Sequence, residues 1–157
     1  MANCNCPAVD GTQFDGKEAD WSGKAFFFTK TPLLFHIPIR IGKDIPKVIE
    51  QAKAKGYAFG DEAMLMQQDG LFSGKVLLEI EKPETVDPNV MTMPAGTRAT
   101  GSYFLGPWSK LSGPSQKLCG ALKAQGKQAK AVYFWYLTCP ECSKERGYQT
   151  VLWGAYS

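Results

Sequence analysis

Histidine is almost missing from the 157 residues: His36 is the only one. Any Ser-His-Asp or Cys-His device would have to be built on it. It stands in a strand-like stretch beside Pro38, and no G-x-S-x-G motif occurs, so it reads as a structural residue. No apolar run approaches the ~20 residues of a membrane span, and the longest, "PLLFHIPIRI", is broken by prolines. Membrane partnership is therefore not expected. Lysines and arginines are scattered and the net charge is only +3, which argues against a nucleic-acid partner. The N-terminus "MANCNCPAVDGTQ" has neither the basic region nor the apolar core of a signal peptide. The expected location is cytoplasmic, where the five cysteines read as thiols or metal ligands before disulfides. No cofactor is called for.

What is present suits one globular domain. Apolar residues are 44% and charged residues 21%, and a chain of this length carries a single core. Residues 1–20 show no periodicity and read as a loose arm. "WSGKAFFFT" (Trp21–Thr29) clusters aromatics between turn-formers, as strands do. In Leu33–Ile41, Phe35, Ile37, Ile39 and Ile41 alternate, with Pro38 requiring an edge or a bulge. "KDIPKVIEQAKAKG" predicts a helix over Ile45–Lys55, with Asp44 as N-cap, Pro46 in the first turn and Gly56 past the end. Strands are predicted over Glu62–Gln67 and Lys75–Lys82. The second sends Val76, Leu78 and Ile80 one way and Leu77, Glu79 and Glu81 the other. A turn at Pro94-Ala95-Gly96 leads into a strand from Thr97 to Leu105. A second helix covers Pro114–Gln125, capped by Ser112 and stopped by Gly126. "AVYFWYLT" and "YQTVLWGAY" then read as strands.

The order strand, helix, strand, strand thus occurs twice. Two βαββ units can put all their strands in one antiparallel-rich sheet with both helices on one face, an α+β architecture. The other face then needs cover or a ligand. The division expected is an N-terminal arm over 1–32, with a candidate extra strand, and a ligand-binding domain over 33–157.

The stretch "MTMPAGTRATGSYFLGPWSKLSGPSQKLCGALKAQGK" followed by "AVYFWYL", and more weakly "HIPIRIGKDIPKVIEQAKAKGYAFGDEAMLMQQD", resembles the GyrI-like family, the effector-binding domains of bacterial multidrug-responsive activators. The resemblance covers residues 33–157. It implies two βαββ repeats about a pseudo-twofold axis and a groove between them for hydrophobic, often aromatic or cationic, small molecules. It is nearest to the standalone members without a helix-turn-helix domain, some of which sequester toxins and some of which hydrolyse cyclopropane-bearing alkylators. Cation-binding members often place a Glu in the strand after the second helix. Here that stretch reads Tyr133-Phe134-Trp135-Tyr136, without it.

Read residue by residue, strand alternation sends Phe134 and Tyr136 to one face and Tyr133 and Trp135 to the other. One pair meets the helices. The other meets either a ligand or the N-terminal arm, through Trp21 and Phe26–Phe28. The candidate ligand-binding set is Tyr103, Trp108, Phe134, Trp135, Tyr136, Trp153 and Glu62. Glu62, Glu79 and Glu81 are the carboxylates available for acid–base work if burial shifts one of them; the alternative is a solvated strand face. Cys139 and Cys142 form a CxxC and Cys4 and Cys6 a CxC, together a candidate zinc set. With no helix predicted behind the CxxC, a hairpin-loop coincidence is preferred to metal, and metal to redox chemistry. Cys119 reads as a buried helix residue. The function expected is binding of a hydrophobic or aromatic small molecule. The alternatives are a hydrolase of reactive small molecules on the same scaffold and a zinc-stabilised interaction protein.

Overall fold

The computed structural model describes residues 6–7, 9–34, 37–38, 41–68 and 73–157. Among the described residues, nine strands and three helices follow one another: β1 (Glu18–Asp20), β2 (Ala25–Leu34), β3 (Ile37–Pro38), α1 (Ile41–Ala54), β4 (Leu65–Gln68), β5 (Ser73–Ile80), β6 (Val90–Thr92), β7 (Arg98–Leu105), α2 (Ser112–Ala124), β8 (Ala131–Tyr136), α3 (Pro140–Arg146) and β9 (Gln149–Tyr156). Every pairing is antiparallel. The order across the sheet is β1-β7-β9-β8-β4-β5-β2-β3, with β6 also on β2.

This is the doubled βαββ pattern. One repeat is β2-α1-β4-β5 and the other β7-α2-β8-β9. In each, the first strand lies outermost, the last in the middle and the second at the seam. The repeats join where β4 meets β8, with Met66 opposite Trp135, Gln67 opposite Phe134 and Gln68 opposite Tyr133.

Period-two alternation divides the interior into two cores. On one face Phe27, Val76, Leu78, Phe134, Tyr136 and Leu152 pack against Val48 and Ala52 of α1 and Leu118 and Leu122 of α2. On the other lie Trp21, Phe26, Leu77, Tyr133, Trp135 and Trp153. A strand buried on both faces reads as an unbroken apolar run. That is why four aromatics stand in a row in β8.

Several elements begin elsewhere than expected. The first strand of the first repeat is β2, continuous from Ala25 to Leu34, so the boundary expected at residue 32 falls inside it. The helix begins at Ile41 rather than Ile45. Asp44 therefore lies within the first turn and Pro46 in the second. Asp44 is buried and accepts a hydrogen bond from the equally buried Thr31 hydroxyl, which ties α1 to β2. Ser112 is the first residue of α2 and Leu111 its N-cap, without a side-chain cap. Phe35, His36 and Ile39 lie outside the described residues. The turn at Pro94-Ala95-Gly96 is present. Thr97 N–H reaches Pro94 O at 3.2 Å, and Gly96 takes φ 85°, a left-handed value natural to glycine.

Candidate functional site

The site is built on the face that α1 and α2 leave free. Trp135 projects from β8 and Trp153 from β9, neighbours in the sheet through the Tyr133–Trp153 and Trp135–Val151 pairs. Met64, just ahead of β4, and Glu79 of β5 extend the wall, and the Met64 N–H donates to Glu79 Oε1 at 3.2 Å.

Above this wall lies the N-terminal arm, which is structured rather than loose. Asp10 accepts from Thr12 N–H at 3.0 Å and starts a 3-10 turn over Gly11–Phe14, a local habit of Asp in turns. The Phe14 ring then sits 5.4 Å from Trp135 and 5.6 Å from Trp153. Trp21 sits 5.5 Å from Trp153 and 5.8 Å from Tyr133. The arm comes close because β7 offers a glycine. Gly101 exchanges 2.9 Å hydrogen bonds with Gly16 and Lys17, and a Cβ on it would stand 2.4 Å from the Phe14 carbonyl oxygen. Beyond it, β1 pairs with β7. The latch is Glu18, whose carboxylate accepts from Arg98 Nε at 2.6 Å, from Lys127 Nζ at 3.1 Å and from the Tyr156 hydroxyl. Those bonds, that from Tyr156 foremost, hold it down at about 2.

The arm does not fill the face. Beside the arm a pocket of about 580 Å³, open to solvent, has Phe14, Trp21, Trp135, Trp153 and Met64 among its lining residues, within the range of small-molecule sites, with Trp21, Trp135 and Trp153 themselves only 1–4% exposed. Glu18, Glu62, Glu79, Lys17 and Lys24 stand on its lining. Glu79 is neutralised by Lys24, 2.6 Å away, and Glu18 by Arg98 and Lys127. Glu62 is exposed and has no hydrogen-bond or ion-pair partner among the described residues. The indole N–H of Trp153 is buried and likewise without an acceptor among them.

The structure thus brings Trp135, Trp153, Glu62 and Glu79 of the expected residues to one cavity. Tyr103 is on the same face but under Gly11, where a Cβ would stand 2.8 Å from its ring. Phe134, Tyr136 and Trp108 belong to the helix-side core, Trp108 lying 4.9 Å from the Tyr136 ring. Alternation along β8 puts Phe134 and Tyr136 there, and Trp108 reaches the same core from the 3-10 turn Trp108–Lys110 ahead of α2, so they do not line this pocket. Glu81 is exposed, past the end of β5. Trp21 was expected as an arm residue covering this face, and it does pack on Tyr133 and Trp153; Phe14, Glu18 and Lys24 were missed, although the Asp-Gly-Thr turn marks the segment.

The CxxC also differs from expectation: a short helix, α3, follows Cys139 directly. Cys142 N–H donates to Cys139 Sγ at 3.4 Å, and Cys139 N–H to Cys6 Sγ at 3.2 Å. Cys119 is half-buried on α2. Cys4 lies outside the described residues.

A family model described as bacterial hydrolase matches residues 1–155. No curated protein matches the sequence. Among solved structures, the C-terminal domain of EcmrR aligns over 90% of this chain and 96% of its own, at a TM-score of 0.68 and 12% identity. An uncharacterized conserved protein from Listeria innocua aligns over 92% of each chain at a TM-score of 0.57 and 10% identity. A hydrolase from Listeria innocua does so over 91% of each at 0.55 and 10%. At such identities the likeness is one of fold, an α+β sheet of the kind found in the EcmrR domain.

Proposed function

The chain belongs to the bacterial hydrolase family, and from that premise we propose that it binds a flat hydrophobic or aromatic small molecule between the arm and the sheet. The observation that carries this reading is the pocket lined by Phe14, Trp21, Trp135 and Trp153, with Glu62, a carboxylate that has no partner among the described residues, also on its lining. Flat aromatic walls give apolar burial, at about 25 cal/mol per Å², together with stacking geometry. Glu62 favours a ligand with a positive charge. The GyrI-like resemblance supports the same class of ligand, with one difference. The Glu those members often carry after the second helix is replaced here by the aromatic run, and carboxylate comes instead from the segment before β4.

N-methylacridinium and its neutral parent acridine test this. Tryptophan fluorescence should fall saturably with both. Glu62→Gln, an exposed change that spares the fold, should weaken N-methylacridinium about two- to fivefold and leave acridine unaltered. Equal loss for both, or a linear response without saturation, contradicts the reading.

A second reading, hydrolysis of a reactive small molecule, is favoured by the family and by Glu62, which has no hydrogen-bond or ion-pair partner among the described residues. A carboxylate not already neutralised can act as a general base on water. In that case Glu62→Gln retains binding and abolishes turnover of a strained-ring alkylating substrate. Turnover unchanged in that variant would exclude this role.

A further inference from the structure

The cavity leaves one cluster of reactive side chains unused. Cys6 comes from the arm, and Cys139 and Cys142 from the connection between β8 and β9, yet their three Sγ atoms all lie within 4.8 Å of one another. Four thiolates around a zinc ion at Zn–S ~2.3 Å stand about 3.8 Å apart, so a triangle with no edge above 4.8 Å needs at most a small contraction to become one face of a metal tetrahedron. Two backbone amides already point at the sulfurs, Cys139 N–H at Cys6 Sγ (3.2 Å) and Cys142 N–H at Cys139 Sγ (3.4 Å). Such outer hydrogen bonds orient metal ligands. All three residues are half-buried, screened yet within reach of an entering ion.

We propose that, in the reduced protein, Cys6, Cys139 and Cys142 bind a zinc ion or a similar soft divalent metal, and that this metal clamps the arm over the aromatic cavity. Cys142 is disulfide-bonded in this structure, while Cys6 and Cys139 are free thiols. Loading therefore needs a phosphine or dithiol reductant. The reductant gives two electrons and is itself oxidised, and the disulfide takes up those electrons with two protons to become two thiols. The metal then displaces one proton from each of the three coordinating thiols. The clamp follows from topology. Five residues after Cys6, Gly11 is pressed on Leu137 and Tyr103, and Phe14 follows on Trp135 and Trp153. Fixing Cys6 to the β8–β9 connection fixes the segment that roofs the cavity. The proposal stands whether or not the cavity binds N-methylacridinium.

The test is a cobalt titration of metal-free full-length protein reduced with a phosphine. One equivalent should bring in thiolate-to-cobalt charge-transfer absorption, and zinc should bleach it. Cys6→Ser and Cys139→Ser should each lose the band, while Cys119→Ser keeps it. Unreduced protein should load far less. Because a variant can lose the band by misfolding, trypsin cleavage after the exposed Lys17 is followed in the wild type. It should slow several-fold on zinc loading. Absence of the band from the reduced wild type, its survival in Cys139→Ser, equal loading without reductant, or an unchanged cleavage rate overturns the proposal.

Discussion

Gln67 and Tyr136 show how a single side chain in the seam is held. Both are buried, and the Tyr136 hydroxyl donates to Gln67 Oε1 at 2.7 Å. Tyr136→Phe removes that donor and leaves a buried amide oxygen short of a partner, which costs about 1–3 kcal/mol. The double variant Tyr136→Phe/Gln67→Leu should recover much of the loss, because both polar ends are then gone. Chemical denaturation of the two single variants and the double variant measures this, and strict additivity would contradict the pairing. Ligand affinity is read beside it: Tyr136 lies with the helices, so N-methylacridinium binding should be unaltered in Tyr136→Phe. The aromatic run shows what was legible at this scale. The sequence makes clear that Tyr133 and Trp135 part company with Phe134 and Tyr136. Which pair faces the helices depends on register against β4, and register is a nonlocal property that a single strand does not state.

Among the elements, the arm departs furthest from the sequence reading. Its order comes from contacts made far along the chain: Glu18 with Arg98 and Lys127, Gly16 with Gly101, Phe14 with Trp153. A window of twenty residues with no periodicity carries no trace of these. α1 and α2 were legible because stripe, proline and terminal glycine are local. Two predictions belong here. Gly101→Ala sets a methyl group against backbone, the Phe14 carbonyl, which has no rotamer to escape by. The arm should lift, and trypsin should cut after Lys17 faster than in the wild type, with the helix-side core unaffected by circular dichroism. Acid should loosen the same segment. Glu18 lies at about 2 when folded, against an ordinary 4.5. A depressed carboxylate lends stability that is fully present above pH 4.5 and is lost as pH falls towards 2. Asp87 is likewise held at about 2, by the Tyr57 hydroxyl first and then Lys55 and Asn89 N–H. Between pH 4.5 and 2 the wild type should therefore lose stability, and Glu18→Gln should lose less of it. Parallel pH profiles for the two proteins would contradict the latch.

For the whole molecule, the doubled βαββ order was legible because each unit repeats local signals, and two units have few ways to share one sheet. The presence of a cavity on the far face was not, because pocket and cover both place aromatics there. Here the arm supplies a cover beside which a pocket of about 580 Å³ stays open to solvent. The four tryptophans divide between the faces. Trp21, Trp135 and Trp153 line the cavity, and Trp108 packs with the helices. Their indole N–H resonances therefore report on the central claim directly. In a two-dimensional NMR titration with N-methylacridinium, the signals of Trp21, Trp135 and Trp153 should move saturably with one common dissociation constant while that of Trp108 stays in place. Movement of Trp108 alone, or none of the four moving at ligand concentrations that quench the fluorescence, would contradict it.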